Sequence, residues 1–325
     1  MSICREAVIS MYFCHALSVL DLFASGRLVL DCTSRHTLPW FTTALHVWCN
    51  MAPDLRHMWF FVESVSRLNQ WFDFLSSGCK QCRGTPAVFS ACLGTLQLLT
   101  DFCREQHDDS SRHAPFVFSL LSGLFEIATT SELDSDQALQ FVDALFACSE
   151  LVASQNLTAL FDQQHTPYCQ MLVIPTIFLC NSKSDRLRDA ASKFLWRLIQ
   201  LNDEHRGSFV QVRLACTIAI SRLVTEKKAG DTYLLKKALD AVVTRADSAR
   251  EELRENIAEM MNRLFSVLKS VVLLATFDHE PENKVDICFR ISEGYAGSPD
   301  LRVTWLKIVA SLHQVQKREG HLPIF

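Results

Sequence analysis

Apolar residues recur at intervals of three and four through most of the chain, the spacing that gathers them on one side of an α-helix. The cleanest stripes lie in the second half. Leu187, Ala191, Phe194, Leu198 and Leu201 follow a Ser184-Asp185 cap. Phe209, Val212, Cys216, Ile220 and Leu223 form the next stripe, and Leu235, Leu239, Val242 and Ala246 another, after a break at Ala229-Gly230-Asp231. The longest helix is expected over 251–277, with Leu253, Ile257, Met260, Leu264, Val267, Val271 and Leu274 on its inner face. In the first half, helices are expected over 3–24, from Pro39 and from Pro53, the last carrying Leu55, Met58, Phe61, Val65, Leu68, Phe72 and Leu75. Three more follow, over 86–103, 115–127 and 135–153. Their stripes include Cys92, Leu96 and Leu99, then Leu120 and Leu124, then Leu139, Val142, Leu145 and Phe146. Polar links are expected at 106–112, 163–167, 202–207 and 278–284. Pro175 is expected to kink or end its helix near Met171, because its ring removes a backbone donor.

No run alternates with the two-residue period of a strand. A succession of helices joined by short links packs as antiparallel pairs. The fold class is therefore all-α, an armadillo/HEAT-like helical repeat array of antiparallel helix pairs, although no strict repeat period is visible. Residues 1–277 are assigned to the array, and a domain boundary is placed in the polar link that follows.

The stretch from Val285 to Leu312 is the most sharply punctuated. Val285, Cys288, Ile291 and Tyr295 share one helical face. Gly294 and Gly297 suit a helix end in the left-handed conformation. Ser298-Pro299-Asp300 combines a cap, a residue tolerated at the first helical position and a charge suited to the helix dipole. A new helix is thus expected from Pro299, with Leu301, Trp305, Val309 and Leu312 inward and Leu306 and Ile308 beside them. The pattern alone describes a helical hairpin within a repeat stack.

Composition narrows the functional classes. At 49% hydrophobic and 21% charged residues, the chain is globular. A net charge of −4 gives no basic stripe for nucleic acid. Ten glycines and nine prolines in 325 residues fit long helices with short turns. No apolar run approaches the roughly 20 residues that span a bilayer. The opening residues lack a secretory pattern, so the Asn156-Leu157-Thr158 sequon is expected to stay unmodified and the chain to be cytoplasmic. The thirteen cysteines, an odd number set mostly in apolar helical contexts, fit reduced thiols used as small hydrophobes.

Catalytic constellations are missing. There is no Walker-type GxxxxGK[ST], no GxGxxG after a strand, no GxSxG and no HExxH. Catalytic residues and cofactors are therefore expected to be none. The nearest metal pattern is Cys79-Lys80-Gln81-Cys82, with Cys92, Cys103, His107 and His113 beyond. Cys92 and Cys103 on one helix stand about 16 Å apart, so both cannot join Cys82 in a tetrahedral site. Cys79 and Cys82 are kept as metal candidates against the reading of incidental cysteines. Lys227-Lys228 with Lys236-Lys237 form a small basic patch, read as a solvated helix face with an acidic lipid or partner as the alternative.

The wording of the hairpin adds a resemblance. Arg290-Ile291, Gly294-Tyr295, Ser298-Pro299-Asp300-Leu301-Arg302 and Thr304-Trp305-Leu306 resemble the opening of the DOCKER domain, the catalytic domain of the DOCK (dedicator of cytokinesis) family of exchange factors. The likeness is nearest to the subfamily acting on Rac-like and Cdc-like GTPases. It is dense over 286–312 and extends more weakly over 185–225, which resembles the helical array before that domain. The resemblance implies that residues 278–325 begin a DOCKER domain without its later lobes. It also implies a parent protein that exchanges nucleotide on Rho-family GTPases. The text after His313 departs from the family, as in a truncated product. This chain is thus expected to be no enzyme but a scaffold or dimerisation segment, a homodimer included, with Tyr295, Arg302, Trp305 and Leu306 as interaction candidates. The competing expectation is an unrelated helical-repeat adaptor that binds peptides or proteins.

Overall fold

Ser184 caps a helix as its position in the sequence promised, and Ser135, expected as the first residue of its helix, is the cap before it. The Ser135 hydroxyl accepts from the Ala138 N–H at 3.2 Å, and the Ser184 hydroxyl accepts from the Leu187 N–H at 3.5 Å. Each closes a free donor at the start of a helix. The structure is a computed structural model that describes residues 86–105, 110–130, 133, 135–162, 168–225, 232–276, 281–295 and 299–319. The helices expected before residue 86 lie outside the described residues. So do Cys79, Cys82, Lys227, Lys228, the 163–167 link, the Ala229-Gly230-Asp231 break and Gly297-Ser298.

The described helices are α1 (Pro86–Glu105), α2 (Ser110–Thr130), α3 (Asp136–Gln155), α4 (Leu157–Phe161), α5 (Tyr168–Cys180), α6 (Asp185–Arg206), α7 (Val210–Thr225), α8 (Thr232–Arg245), α9 (Glu251–Thr276), α10 (Pro281–Gly294) and α11 (Pro299–Glu319). A short 3-10 turn, Ala246–Ser248, separates α8 from α9. There is no strand among the described residues, and the all-α reading holds. The chain divides into two compact units at Ala159/Leu160.

In the first unit α1 packs along α3, and α2 lies against α3. Phe89 meets Phe141 with ring centroids 5.7 Å apart, and Phe125 meets Phe146 at 5.9 Å. Cys92, Leu96, Leu99, Leu120, Leu124, Val142 and Leu145 are all buried. Asn156, at the sequon, is buried and its side-chain amide donates to the Val152 carbonyl at 2.9 Å.

In the second unit successive helices alternate between two rows. The first row is α5, α7 and α9, with α5 packed on α7 and α7 on α9. The second row starts with α6 and α8, which pack on each other, while α6 pairs with α5 and α8 with α9. This is the layout of an antiparallel helical array. Each expected stripe from Leu187 to Ala246 is buried throughout, as are Leu253, Ile257, Met260, Leu264 and Val267 on α9.

Four local expectations differ from the structure. α2 begins at Ser110, so Pro115 lies inside it rather than at its start. Pro115 is exposed, and its missing N–H costs one backbone bond in the first turns of the helix. α5 continues through Pro175 to Cys180 instead of ending near Met171. Leu172, Val173, Ile174 and Ile177 are buried around the proline. At about 1.5–3 kcal/mol for each such side chain, their burial outweighs a proline cost of about 3 kcal/mol. The turn expected from Asn202 is helical up to Arg206, and the reversal falls on Gly207, whose φ of +68° is the left-handed conformation glycine adopts freely. Asn202 is buried, and its Oδ1 accepts the Val212 N–H at 3.2 Å, capping α7 from the side. Finally α10 starts at Pro281, within the expected 278–284 link, with proline at the first helical position.

Candidate interaction surface of the last two helices

The hairpin of α10 and α11 is built on α9. Ile287, Cys288, Ile291 and Tyr295 are buried, so the expected inner face of α10 is correct apart from Val285, which is half-covered. Gly294 ends α10, but not by a left-handed turn, since Gly207 is the positive-φ glycine among the described residues. Its role is close approach: a methyl group added at Gly294 would collide with Val267 Cγ2 of α9. Ser292 is buried too, its hydroxyl donating to the Phe289 carbonyl at 2.6 Å.

Tyr295 is 1% exposed, which places it in the core and not on a contact surface. Its backbone N–H still donates to the Ile291 and Ser292 carbonyls, at 3.3 and 3.2 Å. Its hydroxyl is buried without a partner in hydrogen-bond geometry, and the Ser221 side chain of α7 is its polar neighbour. Burial pushes the phenol up to about 12, with Ser221 pulling the other way.

α11 begins at Pro299, as expected, and continues to Glu319. It packs along α10. Arg302, in its first turn, donates to Glu293 Oε1 at 2.8 Å and so ties α11 to the last turn of α10. Leu301, Trp305, Leu306, Val309 and Leu312 are all half-covered, and Val303 and Ile308 are exposed. No described side chain of α11 is buried. Phe289 of α10 is 50% exposed between Asp286, Arg290 and Glu293. Of the four interaction candidates, Trp305 and Leu306 lie on this half-covered face, Arg302 acts as a staple, and Tyr295 is a core residue. The pattern overlooked Phe289 and Val303; the signal was that each is a large apolar side chain off the inner stripe of its helix.

Among the described residues, the hairpin offers apolar contact surface. Among the described residues no group of three or more His, Cys, Asp or Glu could hold a metal ion. Cys92 and Cys103 share α1, as the metal argument required. Burial raises the Cys103, Cys169 and Cys180 thiols to about 12 and Cys148 to about 11, so these thiols are not nucleophiles near neutrality. The described half of the basic patch is occupied. Lys236 donates to Asp240 at 2.9 Å and sits 5.5 Å from the centroid of the Phe265 ring. Lys237 donates to Asp185 at 3.2 Å. No described helix is long and apolar enough to cross a membrane.

Comparison with known proteins gives one consistent answer. Dedicator of cytokinesis protein 7 of Mus musculus is 28% identical over 208 residues, covering 62% of this chain and 10% of that protein. Dedicator of cytokinesis protein 6 of Mus musculus is 29% identical over 199 residues, 60% of this chain and 10% of that protein. The chain is a relative of the dedicator of cytokinesis family. Dedicator of cytokinesis protein 9 of Homo sapiens matches over 74% of this chain at 26% identity, so the likeness to the family extends well into the first half. That extent sets aside the unrelated helical-repeat adaptor. The chain spans about a tenth of the length of these relatives. No family model matches it, and no solved structure does.

Proposed function

We propose that this chain is a scaffold segment of a dedicator-type guanine nucleotide exchange factor for Rho-family GTPases, working in the cytoplasm and without exchange activity of its own. Residues 278–325 would be the start of the DOCKER domain, and the α10–α11 hairpin its docking face, toward the remaining exchange machinery or a second copy. The observation that carries the reading is the match to dedicator proteins over 60–74% of a chain whose second unit is a regular two-row array. One feature supports a contact role: α11 has no buried described side chain.

The test is release of a fluorescent GDP analogue from Rac-like and Cdc-like GTPases, with and without an excess of the purified chain. The expected result is the spontaneous rate in both cases. Acceleration would overturn the scaffold reading. The dimer reading is tested separately by light scattering of the chain and of a Trp305→Glu variant. A concentration-dependent dimer that the variant loses supports it, and a monomer at all concentrations removes it.

A further inference from the structure

The turn between α8 and α9 carries a serine to which the fold gives no structural task. Ser248 closes the short 3-10 turn Ala246–Ser248. It is exposed, and its hydroxyl makes no hydrogen bond among the described residues. The next residue, Ala249, is extended, at φ −83° and ψ 173°, and its N–H donates to the Ala246 carbonyl at 2.9 Å. The hydroxyl therefore stands where the chain leaves a fixed turn in extended form. Asp247, Arg250, Glu251 and Glu252 around it are all exposed.

Spacing and charge set Ser248 apart from the other hydroxyls. Among the described serines and threonines, Thr129, Ser182, Thr244 and Ser248 have a carboxylate three positions on. The first three are engaged. Thr129 donates to the Phe125 carbonyl at 3.0 Å and Thr244 to the Asp240 carbonyl at 3.1 Å, both inside helices, and the Ser182 hydroxyl accepts the Ser184 N–H at 3.3 Å. Of the four, Ser248 also has a second carboxylate at the fourth position, Glu252 after Glu251. Glu251 lies 3.4 Å from Arg254 but keeps its side chain 79% exposed. The neighbouring cations are held by α6 and α8: Arg245 by Asp189 and the Ala241 carbonyl, Arg250 by Asp203. The free charge that this turn shows to an enzyme is thus acidic, from Asp247, Glu251 and Glu252.

We propose that Ser248 is a phosphate-acceptor site for an acidophilic serine kinase, one whose basic groove reads carboxylates at the third and fourth positions after the hydroxyl. Ser248 Oγ attacks the terminal phosphorus of a nucleoside triphosphate. The Oγ–P bond forms, the bond to the bridging oxygen breaks, the nucleoside diphosphate leaves, and the hydroxyl proton passes to the base of the kinase. The phosphate carries a charge of roughly −1.5 to −2 near neutrality. Arg250 lies two residues on, across the extended Ala249, the backbone form in which side chains two apart share a side. Arg250 otherwise donates to Asp203 at 2.6 Å, tying the start of α9 to the last turn of α6. A phosphate is a stronger guanidinium partner than one carboxylate. Modification therefore draws Arg250 from Asp203 and loosens that tie. The site stands independently of the exchange-factor reading.

The test incubates the whole folded chain with ATP and a purified acidophilic kinase of the casein-kinase type, and maps the phosphate by tandem mass spectrometry. Ser248 should carry it, and Ser248→Ala should leave that peptide unmodified. Glu251→Gln with Glu252→Gln, at exposed positions and with the circular dichroism of the parent, should slow incorporation at Ser248 about tenfold or more, the scale of lost charge-assisted contacts. Hydrogen exchange in the last turn of α6 should speed up on phosphorylation. Arg250→Ala should speed it as well, and phosphorylating that variant should add nothing further. The proposal falls if Ser248 stays unmodified in the folded chain or if the glutamine variant is modified at the parent rate. It also falls if a basophilic kinase modifies Ser248 and the acidophilic one does not. The coupling to α6 falls if exchange there is the same with and without the phosphate.

Discussion

Arg188 concentrates more of the local order than any other charged side chain of the second unit. It is 5% exposed, and one of its terminal nitrogens donates to the carbonyls of Ser182 and Lys183 at 2.7 and 2.8 Å, closing the turn between α5 and α6. The other reaches Asp185. Arg188→Ala would leave both carbonyls short of a donor inside a tight turn. A loss of about 3 kcal/mol is expected, read from urea unfolding. Asp185 itself is exposed, and its carboxyl is held below the usual range first by the Lys237 hydrogen bond and then by the Arg188 charge. A depressed carboxylate adds stability above its unfolded pKa and loses it as the pH falls through the folded one. The parent should therefore exceed Asp185→Asn in stability at neutral pH, and the gap should close as the pH drops below about 4. A gap that stayed constant down to pH 2 would contradict this. Gly294 makes the steric counterpart. Gly294→Ala forces a methyl group into Val267, an overpacking cost of about 1–3 kcal/mol. Pairing it with Val267→Ala should recover part of that loss, and the double-mutant cycle measures how much.

Among the helices, the legible and illegible parts separate by cause. Stripes could be read wherever a helix has one buried side: all five expected inner residues of α6 and all five of the stripe beginning at Phe209 are buried. The cap at Ser184 could be read because it is local, whereas Ser135, expected inside its helix, is the cap before it. Replacing either serine by alanine should cost about 1 kcal/mol in thermal or urea unfolding, most visibly at Ser135, whose bond is the shorter at 3.2 Å. The misread points are those where tertiary packing overrides a local signal. Pro175 resembles a stop, but the helix around it is buried against α6, α7 and α8. Asn202 resembles a turn residue, and only its contact with Val212 ten positions later explains its burial. Gly294 resembles a left-handed cap, and its reason lies on another helix. At the candidate surface the sequence placed the hairpin and the start of α11 correctly. It did not separate the buried Tyr295 from the half-covered Trp305, because a repeating apolar face does not say which of its members meets a neighbour.

Across the whole second unit, stability in such an array is close to a sum of each helix and its immediate interfaces. The interior helices α6 and α7 have neighbours in their own row and in the other, and α6 is further tied to α8 by Lys237–Asp185 and Arg245–Asp189. α11 rests on α10 through half-covered side chains and the Arg302–Glu293 staple. Local opening should follow that gradient. In hydrogen exchange, peptides from α11 are expected to exchange fastest among the helices after residue 168, and those from α6 and α7 slowest. Stopping the chain after Tyr295 should leave the exchange of α6 and α7 nearly unchanged, because neither rests on α11. Protection of α11 equal to that of α6 in the isolated chain would mean that its apolar face is already covered, most simply by a second copy. In that case dilution should restore fast exchange. If α11 is instead a docking face awaiting the rest of an exchange factor, its amides should stay fast at every concentration and slow only when that partner is supplied.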